Sequence, residues 1–210
     1  MKPVIKRNDK KDILPYPKRE APLVIRLLPI VIGGLDRGMD KESQLYLRLL
    51  ARLCDKSFKE YFNAKGYIER EISSGDKLSY RFEIINSLEN CLNAINRVAK
   101  IFEILQEGKW NKEMKSIIKY KYDIIDIMDT DKLEDIKNTS IRDVRNRIEH
   151  MNEDIYTKKI SGRMFIDVED DYKQISINNN FVTIVELVLV IESYDALIRS
   201  IFDKLPSQIN

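Results

Sequence analysis

The sequence predicts an all-α fold, a helical bundle of four to five main helices with one small β-hairpin inserted. Three observations predict it. Apolar residues recur at three- and four-residue spacing over several long stretches, the pattern of helices with one buried side. Residues that start and stop helices bracket those stretches. Between Met164 and Ile177 the period changes to strict alternation around an acidic cluster, as in two short paired strands.

Met1 to Glu20 mixes Lys, Arg and Asp with Pro3, Pro15 and Pro17, which predicts an extended or disordered arm. Pro22 to Leu35 is apolar without a clear period, so a short strand, a packed helix and a partner-binding segment all fit it. Residues 1–38 are therefore expected to form an N-terminal extended arm and apolar segment, and residues 39–205 the bundle domain.

Asp40 can cap a helix carrying Leu45, Tyr46, Leu49, Leu50, Leu53, Cys54, Phe58, Tyr61 and Phe62, with Gly66 as its stop. Ser74 or Asp76 opens the longest expected helix, which ends at Gly108. Its stripe of Leu78, Ile85, Leu88, Leu92, Ile95, Ala99 and Phe102 is widened by Ile84, Cys91, Val98 and Leu105, so it should touch more than one neighbour. Asn111 to Met128 predicts a further helix made basic by Lys112, Lys115, Lys119 and Lys121. A solvated lysine face and an RNA-backbone contact both account for those lysines. Glu169-Asp170-Asp171 should turn the hairpin. Asn178-Asn179-Asn180 is then expected to cap a final helix that runs to about Leu205 and is buried on several sides.

Composition narrows the function classes. With 210 residues the chain suits one domain, and a net charge of only +2 means that any RNA contact must come from a local patch. Cys54 and Cys91 lie far apart within apolar helical patterns, which predicts buried free thiols rather than a disulfide or a zinc site. The apolar run Ala21 to Leu35 is broken by Arg26 and Pro29 and is too short for a membrane span. It shows no signal-peptide cleavage site, so a cytoplasmic location is expected. Gly33-Gly34 lacks the spacing of a phosphate loop or a dinucleotide fingerprint. The acidic group of Asp167, Glu169, Asp170 and Asp171 reads as solvated charge at a hairpin tip more readily than as a cation site.

The sharpest functional signal is Ser140 to Ile155, which holds the only histidine, His150. Ser140 can cap a helix there, with Asp143 at the capping-box position. Ile141, Val144, Ile148, Met151 and Ile155 form its apolar stripe. At roughly 100° per residue, Asn146 falls almost opposite that stripe, with His150 one turn on and Arg145 on the flank. The histidine is thus expected on the polar side, where its titration near neutral pH suits proton transfer.

The run Arg145-Asn146, three intervening residues, then His150 resembles the signature of the HEPN superfamily (higher eukaryotes and prokaryotes nucleotide-binding). These are all-helical domains, many of them metal-independent ribonucleases of toxin–antitoxin, phage-defence and RNA-processing systems. The resemblance implies catalytic roles for Arg145, Asn146 and His150, a composite site in a homodimer, RNA as substrate, an antitoxin or other protein as partner, and no metal or cofactor. Where several toxin members carry a Tyr two positions after the His, this chain has Asn152. A non-catalytic HEPN-like module that binds RNA, a nucleotide or a protein is the alternative. A plain helical interaction protein, with Arg145 to His150 as a mere polar face, stays open as a third reading.

Overall fold

The computed structural model describes residues 14–33, 41–75, 77–107, 167–168, 171–177 and 180–204. These residues form four helices and one small sheet: α1 (Leu23–Gly33), α2 (Lys41–Ser74), α3 (Lys77–Glu107), β1 (Asp167–Val168), β2 (Gln174–Ile177), β3 (Asn180–Thr183) and α4 (Ile184–Lys204). The mostly helical class with a small β insertion is as the periodicity indicates. No described helix is long and apolar enough to cross a membrane.

The α2–α3 pair is the scaffold. Along α2, Leu47, Leu50, Cys54, Phe58, Tyr61, Ala64 and Ile68 return every third or fourth residue, and each is no more than 1% exposed. On α3 the matching set is Ile84, Leu88, Cys91, Leu92, Ile95, Val98, Phe102 and Leu105. The residues that widen its sequence stripe are thus as deeply buried as the stripe itself, because α3 is covered on more than one side. Leu45, expected in the core, is exposed, and Leu47 takes that role.

Two helix boundaries differ from expectation. Gly66 does not stop α2, which continues to Ser74 and becomes the longest described helix. The apolar period runs on through Ile68 and the buried Glu71, and this packing outweighs the roughly 1 kcal/mol that glycine costs inside a helix. The chain turns instead at Gly75, whose φ of 73° only glycine adopts without penalty. Its N–H donates to the Glu71 carbonyl at 3.0 Å and closes the helix end. Ser74, expected as an opening cap, therefore belongs to the preceding helix.

The β element is larger than a hairpin. β1 pairs antiparallel with β2 as the alternation predicts, and β3 adds itself to the other edge of β2. Asn180 is therefore a strand residue and not a helix cap. The register pairs Ile177 with Asn180, leaving two residues, Asn178-Asn179, to connect the strands. Across the sheet Val168, Ile175 and Val182 stand in one row and are fully buried. The neighbouring row of Asp167, Ser176 and Phe181 faces outward.

The real cap of α4 is Thr183. Its hydroxyl accepts the Glu186 N–H at 3.1 Å, and the Glu186 carboxylate accepts the Thr183 N–H at 2.8 Å, a reciprocal capping box. α4 is buried on several sides, as its apolar run predicts, through Leu187, Val188, Val190, Ile191, Leu197, Ile198 and Ile201. Val185 and Leu189 remain outside that contact.

The two glycines make opposite predictions. A Cβ at either would meet nothing within 4 Å, so only the backbone decides. Gly75→Ala should destabilise by about 1–2 kcal/mol through its left-handed φ. Gly66→Ala should stabilise by about 0.5–1 kcal/mol, as a helix-interior replacement without clash. Urea unfolding of the three proteins checks both signs.

Candidate functional site

The end of the expected N-terminal arm is extended but firmly held. Leu14 and Pro17 are buried against the bundle. Lys65 Nζ donates to the Leu14 carbonyl at 3.1 Å, and the Tyr61 hydroxyl donates to the Pro15 carbonyl at 2.6 Å. The Lys18 N–H donates to Glu192 Oε1 at 2.5 Å, tying the segment to α4. A strap without internal ladders must satisfy its polar backbone by such borrowed partners.

Asp55 of α2 then fixes the start of α1. Its two carboxylate oxygens accept the N–H groups of Leu23 and Val24, each at 2.9 Å, and Arg19 forms an ion pair with the same carboxylate. This is helix capping supplied in trans, a negative charge at the positive end of α1. The apolar segment that sequence left open between strand and helix is helical where this acceptor can start it.

A second polar tie lies on α4. Arg199 donates from Nε to Asp195 at 2.6 Å and from Nη2 to the same carboxylate at 3.2 Å, and Nη2 also reaches the Ala21 carbonyl. Burial alone would lower the Arg199 pKa; the hydrogen bond and charge of Asp195 outweigh it and hold the guanidinium more firmly protonated than usual. A third tie joins α2 to the sheet. The Tyr172 hydroxyl donates to Glu71 Oε1 at 2.8 Å, while the buried Glu71 Oε2 has no hydrogen-bond partner. Tyr172 adopts φ 58° in the β1–β2 connection, and Arg81 lies over its ring while pairing with Asp167 at 3.2 Å. These groups hold segments in place, and each carboxylate has a structural partner.

The thiols are buried and free, as predicted. Burial, followed by the charges of Asp195 and Asp55, pushes the Cys54 pKa well up. Burial and then Glu60 do the same for Cys91, which donates to the Ser57 carbonyl at 3.3 Å. Neither is a reactive nucleophile, since the thiolate is the reactive form. Among the described residues no group of three or more His, Cys, Asp or Glu could hold a metal ion.

One exposed face has a single sign of charge. Arg48, Arg52, Lys56 and Lys59 are all exposed on α2. At 100° per residue they fall within a sector of about 80°, over about 16 Å of helix. The basic helix that the sequence predicts, with Lys112, Lys115, Lys119 and Lys121, lies outside the described residues. The i, i+4 recurrence of cations from Arg48 was the available signal for the face on α2.

Arg145, Asn146 and His150 also lie outside the described residues. The same holds for Asp40, Asp76, Gly108, Glu169 and Asp170. Compared with protein families, curated proteins and solved structures, the chain matches none.

Two outcomes follow from the polar groups. Asp55→Ala should destabilise by about 2–3 kcal/mol, since it uncaps α1 and strands Arg19, whose Nε is already buried without a partner. Asp55→Asn should lose less, and chemical denaturation ranks the three proteins. The thiols make stability fall on the alkaline side. Their folded pKa values are raised, so the contribution is complete below the unfolded thiol value of about 8.5 and is lost as pH rises above it. Near pH 9.5 the loss should reach roughly 2–3 kcal/mol for the two groups together. The Cys54→Ala/Cys91→Ala double variant should show a flatter alkaline limb in melts from pH 7 to 9.5.

Proposed function

We propose that the chain is a metal-independent endoribonuclease of HEPN type that works as a two-fold homodimer, in a toxin–antitoxin or phage-defence setting. The observation that carries this reading is the Arg145-Asn146-x-x-x-His150 motif in a stretch whose apolar spacing is helical. The mostly helical fold of the described residues is compatible with a helical-bundle ribonuclease.

The chemistry fits the residue types. RNA supplies the nucleophile, its 2′-hydroxyl. As a base takes that proton, the oxygen attacks phosphorus and the bond to the 5′-oxygen breaks. A proton delivered to the leaving oxygen completes the step, giving a 2′,3′-cyclic phosphate and a 5′-hydroxyl. His150 serves proton transfer near neutral pH. Arg145 holds phosphate oxygens through a permanently charged fork. Asn146 orients His150 or donates to the phosphate. One histidine cannot readily act as base and acid in the same step, so two protomers supply the pair across a two-fold axis. One observation favours the second reading, a non-catalytic HEPN-like RNA-binding or protein-interaction module: Asn152 stands where several toxin members carry tyrosine.

His150→Ala should lower cleavage of a labelled single-stranded RNA by at least roughly 10²-fold, the scale of losing a general acid–base group. Stability should change by no more than about 0.5 kcal/mol, as at ordinary surface positions. Arg145→Ala should do similar damage, with Arg145→Lys only a partial rescue. Excess EDTA should leave the wild-type rate unchanged. Equal cleavage by wild type and His150→Ala would sink the reaction. Absence of wild-type cleavage across varied RNAs would leave the binding module. A strict monomer at micromolar concentration would remove the composite site.

A further inference from the structure

We propose that the α2 face bearing Arg48, Arg52, Lys56 and Lys59 is a track for the phosphodiester backbone of single-stranded RNA, a substrate-holding surface separate in sequence from the Arg145–His150 motif. The inference rests on the RNA reading above and adds a binding surface to it.

Four observations carry it. The chain has 36 Lys and Arg against 34 Asp and Glu, so a face of one sign reflects segregation rather than composition. Further along the same helix the sector carries Arg70, while Glu69 lies about 100° away from it. Arg52–Lys56 is a like-charge i, i+4 pair, an arrangement that repels in isolation and is relieved by a polyanion. Arg19, Lys65, Arg81 and Arg199 stand in ion pairs. Among the described residues Arg52, Lys56 and Lys59 have no such partner.

The margins of the face strengthen the case. Asp55 is the carboxylate on one edge, and its charge is committed to Arg19 and to the N–H groups that open α1. Glu60 stands at the other edge, half-buried, and accepts from Asn63 at 3.3 Å. Successive cations at i, i+4 rise about 6 Å along the axis, so neighbouring side chains can hold successive phosphates of one strand. A linear row suits a linear polyanion better than it suits a compact acidic protein surface. The cations supply affinity without base readout, and sequence preference has to come from elsewhere.

The test measures binding apart from cleavage. The probe is a fluorescent 20-nucleotide 2′-O-methyl-uridine strand, which has no free 2′-hydroxyl to attack. Anisotropy titrations of the full chain from 50 to 300 mM salt give affinity and salt slope. Arg52→Gln/Lys56→Gln/Lys59→Gln should weaken binding at least 10-fold at 0.1 M salt and flatten the log–log slope by about 2, three cations at roughly 0.7 each. A control that removes the same charge elsewhere, Lys18→Gln/Arg97→Gln/Lys173→Gln, should weaken it less than about 3-fold. Both triple variants should melt with the wild type, since all six positions are exposed. Equal weakening by the two triple variants would overturn the track, because net charge would then be the whole effect. So would failure of the wild type to bind at 0.1 M salt. Equally tight, stripe-dependent binding of poly-glutamate or of phosphatidylserine vesicles would overturn the assignment to RNA. Loss of binding in the stripe variant of a chain that cleaves nothing would uphold the track and remove the catalysis. Normal binding by a stripe variant of a chain that does cleave would do the reverse.

Discussion

The apolar seam between α2 and α3 is the constraint on which the remaining structure depends. Phe58 and Tyr61 on α2 and Leu88, Leu92 and Phe102 on α3 are essentially inaccessible to water. Each such side chain contributes about 1.5–3 kcal/mol by leaving water. A typical hydrogen bond of the kind that ties down the strap contributes about 1 kcal/mol net. The seam therefore sets where α2 and α3 lie, and the polar ties only select what may lie beside them. This order also accounts for Gly66, since a single unfavourable residue cannot end a helix whose next turns are already committed to the core.

The polar ties have a common logic. Each joins a neighbouring segment to α2 or α4 through a side chain of that helix. Asp55 gives α1 its first hydrogen bonds, Arg199 holds the Ala21 carbonyl just before it, and Glu71 fixes the connection that carries Tyr172. Their worth lies in direction: a buried donor left without a partner costs more than the bond returns. The unpartnered Glu71 Oε2 is the visible cost of one such tie. Asp55 also affects the surface, because a carboxylate consumed by Arg19 and a helix N-terminus no longer offsets the cations next to it on α2.

In the proposed reading, chemistry and affinity are divided along the chain. Proton transfer and phosphate charge are assigned to Arg145, Asn146 and His150, while the α2 face supplies sequence-independent attraction. Such a division lets a protein with a net charge of +2 hold a polyanion, because the local field rather than the total charge governs association. It also makes the two roles separable by mutation.

The sequence by itself determined the helical class, the two long helices, the buried thiols and the first strand pair. All of these rest on local periodicity, which burial on one side imposes directly on residue order. It also determined the candidate motif, since Arg145, Asn146 and His150 need only residue type and spacing to be noticed. Only the tertiary structure decided the rest. Whether the apolar segment coils into a helix from Leu23 turned on an acceptor at Asp55, more than thirty positions away. Whether Asn180 caps a helix or extends a strand turned on the free edge of β2, which two-residue spacing let it reach. The single-signed face of α2 was written in the sequence as a cation period, but its meaning required knowing that Asp55 was already occupied. Local pattern reports which side of an element is buried; which distant group satisfies a helix end, a strand edge or a charge is settled only when the elements meet.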